Sequence, residues 1–166
     1  MDELEILFET EDLHIDGPSE DQLYKIYGCF LDDFHKTPLV HRGKTVTFNK
    51  NRSRHPLFKG KFDGFVHIVT RKSNYKDRRE FDKNRANRIH WIKPILNNWQ
   101  NSEVSYFERI NDKGVLQYYY WAQSLNFLVI LKECTPNLLL MTAYCVDEYN
   151  ISQYRKYLNE YRKSRS

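Results

Sequence analysis

Apolar residues recur at helical spacing just after a break at Asp16-Gly17-Pro18-Ser19. Leu23, Ile26, Tyr27, Phe30, Leu31 and Phe34 follow the 3.6-residue period. Ser19 with Gln22 reads as a capping box, so the pattern predicts a helix over residues 20–35. Residues 44–48 alternate weakly and suggest a short strand, and residues 49–61 read as a basic loop carrying His55-Pro56. Residues 62–71, which contain Val66-His67-Ile68-Val69-Thr70, read as a further strand. Asp77 followed by Glu80 is a second capping signature, opening a helix to residue 93 that Pro94 ends or kinks.

Four strand-like runs follow, at residues 104–110, 116–122, 127–132 and 138–145, with short turn-like separators. Consecutive strands joined this way predict an antiparallel meander. Residues 127–131 and 138–141 are apolar on both faces, as expected of central strands covered on both sides. Residues 151–163 form a Tyr-rich amphipathic pattern. The order predicts an α+β fold: N-terminal helices, an antiparallel sheet of four or slightly more strands, and a C-terminal helix.

A length of 166 residues suits one domain, with an acidic segment over residues 1–17 and the α+β part over residues 18–166. Aromatic residues make up 15% of the chain, which argues against disorder. No apolar run approaches the ~18 residues of a membrane span, and the acidic start does not resemble a signal peptide. Cys29, Cys134 and Cys145 lack CxxC spacing and read as packing thiols, which points to a reducing cytoplasm. The net charge of +4 conceals an asymmetry: residues 1–33 carry 11 acids and one base, residues 34–93 carry 17 bases and 4 acids. A central basic block in a small domain points to a polyanionic partner, or to a solvated face neutralised by the acidic segment.

Under the predicted helix from Asp77, Phe81, Arg85, Arg88, Ile92 and Ile95 share a stripe. Two arginines on an apolar face need either an internal carboxylate, with Glu108, Glu133 and Asp147 as candidates, or an anionic ligand. A guanidinium suits phosphate because its planar fork donates bidentately. His67 reads as either a core histidine or a proton carrier, with Arg71 and a basic run close behind it. On the last strand Leu138, Leu140, Thr142 and Tyr144 are expected on one face, with Lys132 ending the strand before it. Tyr118, Tyr119, Tyr120 and Trp121 suit either core packing or base stacking. The histidines lack metal-ligand spacing, and no phosphate loop, serine elbow or paired-carboxylate motif is present.

His67-Ile68-Val69-Thr70-Arg71, Arg85-Ala86-Asn87-Arg88-Ile89-His90-Trp91-Ile92, the Tyr/Trp strand and Leu140-Met141-Thr142-Ala143-Tyr144 together resemble phage and mobile-element members of the barnase, EndoU, colicin and RelE-like nuclease superfamily. The resemblance covers residues 60–144 and implies a small metal-independent endoribonuclease, a toxin or effector that needs no cofactor. By position it implies functional roles for His67, Arg71, Arg85, Arg88, Thr142 and Tyr144, with Arg71 as a phosphate contact; Lys61, Lys132 and Tyr120 are further candidate substrate contacts. The implied partners are RNA, tRNA included, and a cognate inhibitor or immunity protein. Tyr144, Lys132 and His55 compete for the second proton transfer. A non-catalytic nucleic-acid-binding module and a protein-binding regulator are the alternatives.

Overall fold

The computed structural model describes residues 4–75 and 77–166. Its centre is a mixed six-stranded sheet. β1 (Val40–His41) and β2 (Lys44–Thr47) form one edge, followed in space by β8 (Asn137–Cys145), β7 (Phe127–Cys134), β6 (Leu116–Ala122) and β5 (Ser105–Ile110). The β5–β8 meander is antiparallel, as its short links demand, whereas β2 joins β8 in parallel through Val46 and Thr47 opposite Leu138 and Leu139. The sheet is therefore wider than four strands and not wholly antiparallel. β3 (Thr70–Arg71) and β4 (Glu80–Phe81) make a separate two-stranded ladder.

Helix α1 (Glu20–Phe30) starts at the predicted capping box: Gln22 N–H donates to Ser19 Oγ, and Ser19 N–H donates to Gln22 Oε1. Its last turn widens into a π-helical turn over Leu31–Lys36. Ser19→Ala removes one of these two bonds, and the expected loss is about 1 kcal/mol of stability, read as a lower urea midpoint with unchanged slope.

Helices α2 (Asp63–Val69), α3 (Lys83–Ala86) and α4 (Ile92–Asn97) complete the layer that α1 begins. Phe30, Phe65, Ile68, Ile92 and Ile95 from these helices meet Phe127, Val129 and Leu131 of β7 in one core. The opposite face of the sheet packs Phe107, Trp121, Leu128 and Ile130 against Leu158 of α5 (Glu148–Ser164). Alternate residues of β7 thus feed two cores, which is why that strand reads apolar on both faces.

Two sequence expectations fail between the first helix and the meander. Residues 62–71 are mostly helix. Phe62, Phe65, Val66 and Val69 stand at i, i+3, i+4 and i+7, and all four are buried; that period prevails over β-branched composition. The helix from Asp77 does not form, because Glu80 and Phe81 pair with Arg71 and Thr70 in the ladder. Asp82 caps the chain instead, accepting from Arg85 N–H at 3.1 Å. The backbone then leaves α3 at Arg88, makes a 3₁₀ turn over Ile89–Trp91, and re-enters α4 with Pro94 in the first turn, where a missing N–H costs little. Phe81 to Ile95 is accordingly not one stripe, and Arg85 and Arg88 diverge.

The sheet curls until its edges meet. Arg42 and Gly43 form the β1–β2 turn with φ of 54° and 79°, as a two-residue primed hairpin requires. From there Arg42 Nη1 donates to Tyr106 Oη of β5 at 2.6 Å, and the guanidinium lies 4.5 Å from the Trp99 ring centre. His41 Nε2 and Tyr120 Oη are 2.7 Å apart inside the core. No helix among the described residues is long and apolar enough to cross a membrane. All three cysteines are free; Cys134 is exposed rather than packed, and Cys29 and Cys145 are half-buried.

Candidate active site

β2 pairs with β8 only as far as Leu139, and the chain turns away after Thr47. In the space left beside β8 sits α2. A cavity of about 430 Å³ opens there, lined by Asn49, by Asp63, Gly64, Val66 and His67 of α2, by Leu139–Met141 of β8, and by Arg79. Gly64 is needed for the close approach of α2 to the departing strand: a Cβ there would lie 2.8 Å from the Phe48 Cβ and 3.0 Å from Asn49 N. In α2, Gly64, Phe65, Val66, Ile68 and Val69 are buried while His67 is exposed to the cavity.

Two guanidinium groups converge beside that imidazole on one backbone oxygen. Arg79 Nη2 and Arg85 Nη1 each donate to the carbonyl of Thr70 at 2.8 Å. Arg79 Nε also donates to Thr70 Oγ1 at 2.9 Å, and Thr70 is fully buried. In part this is a structural cap, since Arg79 reaches the carbonyl of His67 at the end of α2 as well, at 3.4 Å. The cap leaves donors over: Arg79 Nη1 and Arg85 Nη2 have no hydrogen-bond partner among the described residues. Arg85 has a carboxylate near it, Asp82 Oδ2 at 3.4 Å from Nε, but Arg79 has none among the described residues.

These surroundings set the charge states. His67 is crowded by protein on one side and open on the other. Loss of hydration, then repulsion from Arg79 and Arg85, pushes its pKa down to about 4. The ring is therefore neutral near pH 7. Burial lowers the pKa of Arg85, Asp82 pulls it the other way, and the group still stays charged. Tyr144 lies under the Arg85 guanidinium, 5.1 Å from ring centre to carbon, and its hydroxyl meets Tyr154 Oη at 2.5 Å. Burial, with that bond, raises the Tyr144 pKa, so the phenol keeps its proton.

The remaining expected residues are dispersed. Arg88 turns away, donating to the Asn84 carbonyl at 3.0 Å and lying over the Trp91 ring. Lys61 covers Tyr27 and borders a different cavity. Tyr120 is wholly buried against His41, so it stacks in the core and offers no face to a base. Lys132 pairs with Leu139 near the end of β7. Arg71 lies beside the cleft, 3.5 Å from carboxylate oxygens of both Glu80 and Asp82. Thr142 follows a bulge: Ile130 pairs with Thr142 but Leu131 with Leu140, so Met141 is the extra residue. Beyond it the faces exchange. Leu138, Leu140 and Ala143 enter the helical core, whereas Met141 and Tyr144 pack on the α5 side. Thr142 and Tyr144 do not share a face with Leu138 and Leu140.

Sequence reasoning missed Arg79, which it saw only as the end of a basic run, and Asp63 and Asn49 on the cavity wall. It also gave Asn87 no role. That buried side chain accepts from Phe8 N–H and donates to the Phe8 carbonyl, each at 2.8 Å. Trp91 Nε1 and a His90 ring nitrogen contact the Glu5 carbonyl at 3.0 and 2.6 Å, so the N-terminal segment is strapped along residues 83–91. Much of the Arg85–Ile92 motif thus serves to dock this segment. Among the described residues no group of three or more His, Cys, Asp or Glu is placed to hold a metal ion. Comparison with family models, curated proteins and solved structures finds no match to the chain.

Proposed function

We propose that the chain is a metal-independent endoribonuclease that cleaves RNA by attack of the 2′-hydroxyl on the adjacent phosphate. The observation that carries this reading is the neutral, solvent-open His67 beside two guanidinium groups that hold donors in reserve. Cleavage of this kind needs a base for the 2′-hydroxyl, cations for the phosphorane and a proton for the departing 5′-oxygen. His67 accepts the first proton, as a ring with a pKa near 4 can do at neutral pH. Arg79 and Arg85 stabilise the charge that builds on the non-bridging oxygens, already held in place by Thr70.

Of the three groups competing for the second proton transfer, Tyr144 is favoured. It keeps its proton and its ring lies under the Arg85 guanidinium, with its hydroxyl shared with Tyr154 Oη. His55 is committed elsewhere, its Nε2 2.7 Å from the Arg79 carbonyl and its Nδ1 accepting from Leu57 N–H. The resemblance to the barnase–EndoU–colicin–RelE-like nucleases supports the same chemistry, and with it a cytoplasmic phage or mobile-element toxin restrained by an inhibitor protein.

The test is purified protein on structured RNA, tRNA included, with EDTA present. The expected products end in a 2′,3′-cyclic phosphate, and an RNA with 2′-deoxyribose at each cleaved position binds but is not cut. Binding of RNA without cleavage, over a range of substrates and pH, would reduce the chain to a nucleic-acid-binding module. The Arg79–Arg85 pair favours that module as the second reading.

A further inference from the structure

Arg79 borders two cavities. Beyond the cleft, a smaller groove of about 160 Å³ runs between Ile15 and Asp16 of the N-terminal segment, Leu57, and the arginines Arg71, Arg78 and Arg79. We propose that this groove is a phosphate subsite for single-stranded nucleic acid, so that the substrate is an oligonucleotide chain and not a mononucleotide. The inference rests on the nuclease reading of the neighbouring cleft and extends it.

Size separates the two cavities. The cleft falls within the range of ~300–1,000 Å³ typical of small-ligand sites, and the groove falls well below it, suiting one phosphate or sugar–phosphate unit. Charge separates them too. Neither Arg78 nor Arg79 pairs with a carboxylate among the described residues, while Arg71 is shared between Glu80 and Asp82 at 3.5 Å. Two carboxylates line the groove: Glu80, which faces Arg71, and Asp16, 3.7 Å from a His14 nitrogen. Glu80 and Asp82 balance Arg71 and Arg85, so Asp16 alone faces the two guanidiniums of Arg78 and Arg79 that lack a carboxylate, and the groove keeps a net positive charge.

Aliphatic side chains stand among these charged groups. Ile15, 64% exposed, and Leu57, 42% exposed, offer apolar surface on one side of the groove. A chain of alternating phosphates and apolar sugar and base faces matches that alternation of arginine and aliphatic wall. The groove is also held ready. His55 bonds the Arg79 carbonyl through Nε2 and the Leu57 N–H through Nδ1, joining the arginine-bearing loop to the aliphatic wall.

The experiment is fluorescence anisotropy with a labelled single-stranded 2′-deoxy oligonucleotide, which cannot be cut, across a salt series. Arg78 is exposed, so Arg78→Ala is expected to fold normally by circular dichroism. It should weaken oligonucleotide binding about tenfold, at one phosphate contact of ~1.4 kcal/mol, and reduce the salt slope by about 0.7. Arg78→Lys should restore most of the affinity, and competition by a 5′-mononucleotide should be the same for all three proteins. Unchanged oligonucleotide affinity and slope in Arg78→Ala overturn the subsite, even if the protein cleaves RNA. Loss of binding to polyglutamate but not to the oligonucleotide also overturns it, in favour of an acidic protein partner. Arg78-dependent binding without cleavage supports the subsite while removing the nuclease reading.

Discussion

His67→Ala is expected to lower the rate of RNA cleavage roughly 10²–10⁴-fold, the usual contribution of a positioned proton carrier. The helix should survive the change, because His67 is the exposed residue of α2 while its neighbours hold the core. The pH profile supplies a second readout. A base works when deprotonated, so kcat/KM should rise with pH through about 4 and be flat by neutrality. An unperturbed histidine would place that rise near 6.5. Arg79→Met removes one of the two repelling cations, so the rising limb should move upward, toward the ordinary value, while the rate falls. A limb already near 6.5 in the unaltered protein would break the link drawn between the guanidinium pair and the imidazole.

The largest expected loss of stability is at Phe65. Its ring is fully buried, with centroid distances of 4.7, 5.5 and 5.9 Å to Tyr27, Phe30 and Phe58. Phe65→Ala deletes the ring at the point where α1, α2 and the 49–61 loop meet. Large-to-small changes at such positions cost about 3–5 kcal/mol, transfer and cavity together. For a chain of this length that corresponds to a fall of roughly 6–20 °C in Tm, measured by thermal denaturation. A fall under about 2 °C would mean that the aromatic cluster is not the anchor of α2.

The parts of the fold that were legible in the sequence are those in which local and tertiary demands agree. α1 has its capping box and a clean helical period, and the meander has apolar runs separated by short turns. Legibility failed where the two demands diverge. Residues 62–69 carry β-branched side chains on a helical period, and the tertiary need to bury Phe62, Phe65, Val66 and Val69 together settles the matter. At Asp77 and Glu80 a capping pattern was present, but the ladder with Thr70 and Arg71 took the residues first.

The site divides the same way. His67 and Arg85 stand out in the sequence as chemically unusual residues in apolar surroundings; His67 lines the cleft and Arg85 joins Arg79 on the Thr70 carbonyl beside it, although the structure around them differs from expectation. Arg88 stands out by the same helical arithmetic as Arg85, but the helix breaks and its side chain turns to the Asn84 carbonyl. Arg79 was hidden among other bases; only the convergence on the Thr70 carbonyl distinguishes it, and that convergence joins residues nine and fifteen positions from Thr70.

The bulge at Met141 decides which layer owns the end of β8. Before it, the strand sends Leu138 and Leu140 to the helices that build the cleft; after it, Tyr144 belongs to the side where α5 packs. One supernumerary residue therefore lets a tyrosine tethered to the C-terminal helix lie under an arginine of α3, around a strand edge that β2 has already left. Through that contact the last helix, remote in sequence from His67, Arg79 and Arg85, is tied to one of the two arginines that converge on the Thr70 carbonyl.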